Sequence, residues 1–160
     1  MRIYGSDLNI NSNEVIKIKF EIDTNPPPFA TFENRYRLLP SPYQVKLYDA
    51  ESLFAGKLHA VICRSWKNRV KGRDLYDYVF YLAKNTSINF THLKARLEES
   101  GAINPQAEFG INELKELLLE RFDSIDFEQA KKDVLPFISD KSKIEIWSKE
   151  FFTDITTNLI

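Results

Sequence analysis

A basic segment followed by two aspartates is the first group of residues that could act on phosphates. Residues 57–73 carry six positive charges and no acid, and Asp74 and Asp77 come directly after them. A lysine or arginine can neutralise a triphosphate, and a buried aspartate beside it can orient the lysine or accept a proton. The six cations are Lys57, Arg64, Lys67, Arg69, Lys71 and Arg73.

The same residues have a second interpretation without chemistry. Arg73 and Asp77 have the i, i+4 spacing of a helical ion pair, and lysines and arginines are common at solvated helix ends. Charge alone favours a solvated helix end for the basic segment. For the Lys57 and 71–77 group the two interpretations are balanced.

Glu21 and Asp23 are a second candidate group. They lie two residues apart, so a strand would place both carboxylates on one face, where such a pair can hold Mg²⁺ near phosphate oxygens. The alternative is a solvent-facing strand in which Lys and Glu alternate, and the residues alone favour it.

Other kinds of site are disfavoured by the sequence. His59 and His92 lie in no zinc-binding pattern, and the single cysteine, Cys63, excludes an intrachain disulfide. No P-loop, G-x-G-x-x-G or G-x-S-x-G motif occurs. Residues 5–7 (Gly-Ser-Asp) look like the start of a phosphate-holding turn, but three residues carry almost no specificity.

Three strands are predicted to precede the helices. Residues 15–23 alternate apolar and charged side chains, which predicts a half-buried strand ended by Pro26–Pro28. Further strands are predicted at 34–39 and 43–48, separated by a Pro-Ser-Pro turn.

Helical periodicity begins after Asp49, a predicted N-cap. The first two helices, 50–66 and 73–84, carry the candidate residues, and Lys57 and Asp74 are expected within salt-bridge or water-bridged reach. Thr91 and Asp126 are predicted N-caps of later helices. The remaining predicted helices are 91–99, 111–123, 126–138 and 142–158. Their apolar positions, such as Ala130, Val134, Phe137 and Ile138, are assigned to the core of a helical bundle.

These elements predict an α+β fold. A small, mostly antiparallel sheet within residues 1–49 precedes a bundle of five or six helices in residues 50–160. With 160 residues, 43% of them apolar, the chain can bury a core. No apolar run approaches a membrane span and no signal-peptide core is present, so a cytoplasmic protein is expected. The strand at 15–23 lacks an evident cover, so we expect another copy or another segment to close it.

Two stretches of the sequence resemble the AbiEii/AbiGii toxin family of nucleotidyltransferases. They are IKIKFEIDTNPPP (16–28) and SLFAGKLHAVICRSWKNRVKGRDLYDYVFYLAKN (52–85), and ERFDSIDFEQAKKDVLPFI (120–138) also has the look of that family. The pattern K-L-x-A followed by K-G-R-D-x-Y-D is long and specific, and the resemblance extends from Ile16 onward.

The resemblance implies a fold similar to DNA polymerase β-like nucleotidyltransferases and a role in toxin–antitoxin and phage abortive-infection systems. Mg²⁺ and an NTP are the implied cofactor and substrate of a full-length member, although neither is expected to bind tightly to this chain. By position, Lys57 matches the lysine implied in triphosphate binding, and Asp74 matches the aspartate after the basic turn. Glu21 matches a metal-site carboxylate, and Asp23 is assigned beside it. The implied supports are Lys71, Arg73 and Asp77, and the implied phosphate or nucleic-acid contacts are Arg64, Lys67 and Arg69.

One departure from the family pattern shapes the functional expectation. The first family motif, a Gly-Gly or Gly-Ser turn followed by D-x-D, is not matched, because Asp7 is followed by Leu8 and Asn9. We therefore expect the C-terminal part of a nucleotidyltransferase toxin that is inactive alone. One alternative is a binding module whose 57–73 patch contacts RNA or an antitoxin. Another is an enzyme by complementation, in which a second chain supplies the D-x-D strand. Expected partners are an antitoxin, tRNA or other RNA, and a second copy that pairs through the open sheet, with no membrane.

Overall fold

The computed structural model describes residues 19–64 and 71–159, which form a two-stranded sheet followed by helices. The strands are β1, Phe32–Arg37, and β2, Tyr43–Tyr48. The helices are α1, Ala50–Cys63; α2, Gly72–Ala83; α3, Phe90–Glu99; α4, Ile111–Asp123; α5, Phe127–Val134; and α6, Lys149–Thr156. Two 3₁₀ turns, Leu135–Phe137 and Lys141–Ile144, lie between α5 and α6. The predicted α+β class is confirmed.

The described sheet is a hairpin and not a three-stranded sheet. β1 and β2 pair antiparallel, with Phe32 opposite Tyr48. Residues 15–18 of the predicted first strand lie outside the described residues, and 19–23 are not a strand. Phe20 and Ile22 are both 88% exposed. Alternation supplies an apolar face, but a strand also needs a backbone partner, and among the described residues β1 and β2 pair only with each other. Closure of this region by a second copy stays a prediction.

Most helix boundaries follow from local side chains. Asp49 and Asp126 accept N–H bonds from Ser52 and Gln129, which confirms both predicted N-caps. The prediction of Thr91 as an N-cap is wrong, because Asn89 accepts the N–H of His92 instead.

The last two predicted helices are shorter than expected. α5 ends at Val134, and the chain continues as a 3₁₀ turn that contains Pro136 near its start. The single helix predicted over 142–158 is instead a 3₁₀ turn and the shorter α6.

The core lies among the helices. The Tyr78 hydroxyl and Thr156 Oγ1 are 2.7 Å apart within it, and the Thr156 hydroxyl also donates to the Phe152 carbonyl. Burial raises the pKa of Tyr78 far above its usual value. The largest fully buried side chains are Trp147, Tyr78, Phe54, Phe122, Phe152, Leu58, Leu75, Leu93, Leu97, Leu114 and Leu118. In the described ranges, no helix is long and apolar enough to cross a bilayer.

A polar network attaches the hairpin to the bundle. The Thr31 N–H donates to Ser52 Oγ at 2.9 Å, and Asn89 Nδ2 donates to the same oxygen at 3.1 Å. The buried His92 ring places Nδ1 2.7 Å from the Pro28 carbonyl oxygen. These bonds hold the segment before β1 against the first turns of α1 and α3.

Gly72 sets the closest approach between two helices. A Cβ at this position would lie 2.0 Å from the Ala130 carbonyl oxygen and 2.7 Å from Val134 Cγ2. The Gly72 N–H donates to Asp133 Oδ2 at 3.0 Å. The start of α2 therefore rests directly on the α5 backbone, and only glycine fits there.

Replacing Gly72 by alanine tests this packing. We expect Gly72→Ala to lower the free energy of unfolding by about 1–3 kcal/mol or more, because a methyl group would overlap a backbone carbonyl. Gly56→Ala is the matched control, since a Cβ there meets no atom within 4 Å. It should be neutral or stabilise α1 by about 0.5–1 kcal/mol. Urea unfolding measures both, and equal stability of the two variants would contradict the close approach.

Candidate functional site

The candidate residues of α1 and α2 face each other. Lys57 Nζ lies 2.6 Å from Asp77 Oδ2 and 4.0 Å from Asp74 Oδ1. Arg64, one residue past the end of α1, places Nη1 3.2 Å from Asp74 Oδ2. The order of these contacts is that of an antiparallel pair. It confirms the expected proximity of Lys57 and Asp74.

Asp74 is the buried member of this group. Its side chain is 5% exposed, whereas those of Lys57 and Arg64 are 36% and 51% exposed. Asp74 lies in the first turn of α2, where the helix dipole favours a negative charge. A fixed carboxylate thus faces two cations whose charged side chains still reach solvent.

An open pocket of about 530 Å³ adjoins these ion pairs. This volume is within the usual range for small-molecule sites, about 300–1,000 Å³. Four cationic side chains and two carboxylates line it, together with an apolar wall. The lining residues are Lys57, Arg64, Lys71, Arg73, Asp74, Tyr76, Asp77, Val134, Phe137 and Ile138. Such a lining suits an anionic ligand that also has an apolar part.

Phe137 belongs to the pocket and not to the core. It is 66% exposed, so its assignment to the bundle core is wrong. The helical period stops at Val134, and the 3₁₀ turn that follows directs Phe137 to the surface. The Arg73 guanidinium lies over its ring, 5.0 Å from the centroid. Pro136 was the sequence signal that the period breaks here.

Arg121 of α4 holds the end of α1 beside the pocket. Its Nε donates to the Val61 carbonyl and its Nη2 to the Arg64 carbonyl, each at 3.2 Å. These bonds satisfy carbonyls that a helix end leaves without a partner. Nothing in the spacing of the sequence indicated this role. Arg121 lies 60 positions after Val61 and 57 positions after Arg64 in the chain.

Comparison with known proteins identifies the family. A family model described as "Nucleotidyl transferase AbiEii toxin, Type IV TA system" matches residues 2–153. The chain belongs to the AbiEii family. Its resemblance in sequence is thereby confirmed, and the family supports a nucleotidyl transferase role in a toxin–antitoxin system, which suggests an antitoxin partner. Neither a curated protein nor a solved structure matches this chain.

The other predicted residues of this AbiEii-family chain lie outside the pocket lining or outside the described residues. Lys67 and Arg69 belong to the undescribed segment 65–70. Glu21 pairs with Lys19, and Asp23 Oδ1 accepts the Asn25 N–H at 3.0 Å. Within residues 19–64 and 71–159, no three His, Cys, Asp or Glu side chains are grouped to hold a metal. The metal role of Glu21 and Asp23 stays a prediction.

Two titratable groups of α1 lie near α3. Burial first, and then the charges of Arg96, Arg64 and His92, lower the pKa of His59 to about 4. Its Nε2 is buried without a hydrogen-bond partner. Burial likewise raises the pKa of the Cys63 thiol, whose sulfur lies 3.4 Å from Ser100 Oγ. Neither group is set up as a nucleophile or a metal ligand in the AbiEii-family chain.

His59 gives the AbiEii-family chain a specific pH dependence. The pKa is about 4 in the folded state and about 6.5 in an unfolded chain, so the unfolded state binds more protons between these values. The free energy of unfolding should therefore fall as pH drops from about 6.5 to about 4, by about 1–2 kcal/mol after allowance for partial exposure of the ring.

Urea unfolding between pH 4 and 8 of the wild type and of His59→Gln measures this effect. The carboxylates titrate in both proteins, so the difference between the two curves isolates His59. The difference in stability between wild type and His59→Gln should be constant above pH 7, and below it the wild type should lose stability relative to the variant. Parallel curves over the whole range would refute the buried neutral imidazole.

Proposed function

We propose that the pocket between α1, α2 and the segment after α5 binds the phosphates of an NTP for nucleotidyl transfer. One observation carries the proposal. Lys57 and Arg64 pair with the buried Asp74 and line a pocket with an excess of cations. An excess of positive charge in a concave site raises the local concentration of phosphate anions.

Each polar residue has a distinct part in this proposal. Lys57 Nζ and the Arg64 guanidinium donate hydrogen bonds to phosphate oxygens, as charge-assisted bonds of this kind are strong. Asp74 touches no phosphate and positions these two cations. Asp77 holds Lys57 at 2.6 Å until a ligand enters. Lys71 and Arg73 extend the positive lining of the same pocket.

We further propose that this chain binds nucleotide without transferring it. Two-metal nucleotidyl transfer needs carboxylates around the reacting phosphate, and no D-x-D pair occurs in the 160 residues. Mg²⁺ would supply charge neutralisation and in-line geometry in a complete site.

The proposed context is a cytoplasmic toxin with a cognate antitoxin. RNA, such as tRNA, is the proposed nucleotide acceptor of a complete enzyme, and a second copy is the proposed partner of the region around residues 15–23. The second candidate function is a non-catalytic module in which the 57–73 patch contacts RNA or antitoxin. The Arg64 side chain, which is 51% exposed, favours it, because contacts to the RNA backbone need accessible cations.

Lys57→Met tests the phosphate site. We expect the dissociation constant for ATP to rise about tenfold or more, since a hydrogen bond to a charged group contributes about 1.5–3 kcal/mol. Lys149→Met is the matched control, because Lys149 also forms a 2.6 Å ion pair with an aspartate, Asp123. Isothermal titration calorimetry measures both. An equal loss of ATP affinity in both variants, or no loss in either variant, would reject Lys57 as a phosphate ligand.

Nucleotide transfer is tested with each labelled NTP, Mg²⁺ and total tRNA. We expect no label on the tRNA from this chain alone. Label that appears with wild type and disappears with Glu21→Ala would show a complete enzyme. Salt-dependent RNA binding without any NTP binding would favour the binding module.

A further inference from the structure

The pocket has two chemically different sides. Charged side chains of α1 and α2 form one side, and Tyr76, Val134, Phe137 and Ile138 form the other. The apolar side does not increase the affinity for phosphates alone, because contact between apolar surface and a hydrated anion is not favourable. The lining therefore matches a ligand with an anionic end and a flat apolar end.

Arg73 and Phe137 form the part of the apolar side that is built for a ring. The Arg73 guanidinium lies 5.0 Å from the centroid of the Phe137 ring. This cation–π contact restricts the conformations of both side chains. Phe137 still keeps 66% of its surface exposed. The 3₁₀ turn with Pro136 restricts the backbone that carries it, so the ring is presented at little entropic cost.

We propose that Phe137, with Arg73, is the base-stacking platform of the nucleotide site. This inference rests on the proposed function. The base of an NTP stacks on the Phe137 and Arg73 pair, while its phosphates reach Lys57 and Arg64. Aromatic and guanidinium planes both stack on nucleobases, and such stacking tolerates any base because every base has a π-face. The platform therefore contributes affinity for nucleotides over inorganic phosphates.

The occupant is a free nucleotide and not an RNA strand. The pocket volume, about 530 Å³, suits one nucleotide-sized molecule. Positive charge inside the pocket is partly matched by Asp74 and Asp77, whereas a strand-binding surface is a longer groove of unmatched cations.

The experiment measures, by isothermal titration calorimetry, the binding of each of the four NTPs, of inorganic tripolyphosphate and of a single-stranded RNA oligonucleotide. The variants are Phe137→Ala, Phe137→Tyr, which keeps the ring, and Phe80→Ala. Phe80 is the matched control, because it is also an exposed phenylalanine of a cation–π pair, with Lys84 Nζ at 4.7 Å, but it does not line this pocket. Phe137 and Phe80 are both exposed, so their removal leaves the core intact, and thermal unfolding verifies this.

We expect Phe137→Ala to weaken the tightest-binding NTP about tenfold and to leave tripolyphosphate within about twofold of wild type. Phe137→Tyr and Phe80→Ala should bind the NTPs and tripolyphosphate like wild type. An unchanged NTP affinity in Phe137→Ala, or equal losses for NTP and tripolyphosphate, would overturn the platform while the phosphate site stands. A loss confined to binding of a single-stranded RNA oligonucleotide would assign the ring to RNA and overturn the NTP assignment. Failure of wild type to bind either phosphate ligand would overturn the proposed function and this inference together.

Discussion

The contact of Gly72 with the α5 backbone determines where the candidate site forms. α2 carries Asp74, Asp77 and the wall residue Tyr76, and its first residue rests on the Ala130 carbonyl. Any side chain at Gly72 would push α2 away from α5 and displace the α2 residues that line the pocket. The bond from the Gly72 N–H to Asp133 fixes the same helix end in rotation as well as in distance. The absence of a side chain at Gly72 thus sets the distance between α2 and the end of α5, which carries Val134 of the pocket lining.

α1 is fixed to the site by a separate set of bonds. Arg121 holds the carbonyls at its end, and Asp74 faces the Arg64 side chain that follows. The first turn of α1 is held by the network around Ser52, which also anchors the segment before β1. Both ends of this helix are therefore fixed by side chains from elsewhere in the chain. The cations of α1 keep their spacing relative to α2 for that reason.

Local signals in the sequence predicted most of the helices and the contact between Lys57 and Asp74. N-cap residues and apolar periods act over a few residues, so Asp49 and the α1 and α2 stripes could be interpreted directly. Features that depend on contacts between distant residues could not be predicted in this way. The close approach at Gly72 depends on a residue 58 positions away, and the exposure of Phe137 depends on where α5 ends. In residues 19–23, apolar and charged side chains alternate as in a strand. This alternation does not show whether another strand is present to pair with them.

The ion pairs of the pocket make ligand entry an exchange of counter-ions. Lys57 already has Asp77 as a partner, and Arg64 has Asp74. An incoming anion must compete with these tethered carboxylates, which are present at high effective concentration. A singly charged anion gains little by replacing one carboxylate. An anion with several linked charges can engage several cations in one binding event. The proposed phosphate site should therefore favour anions with several linked charges, such as a triphosphate, over chloride.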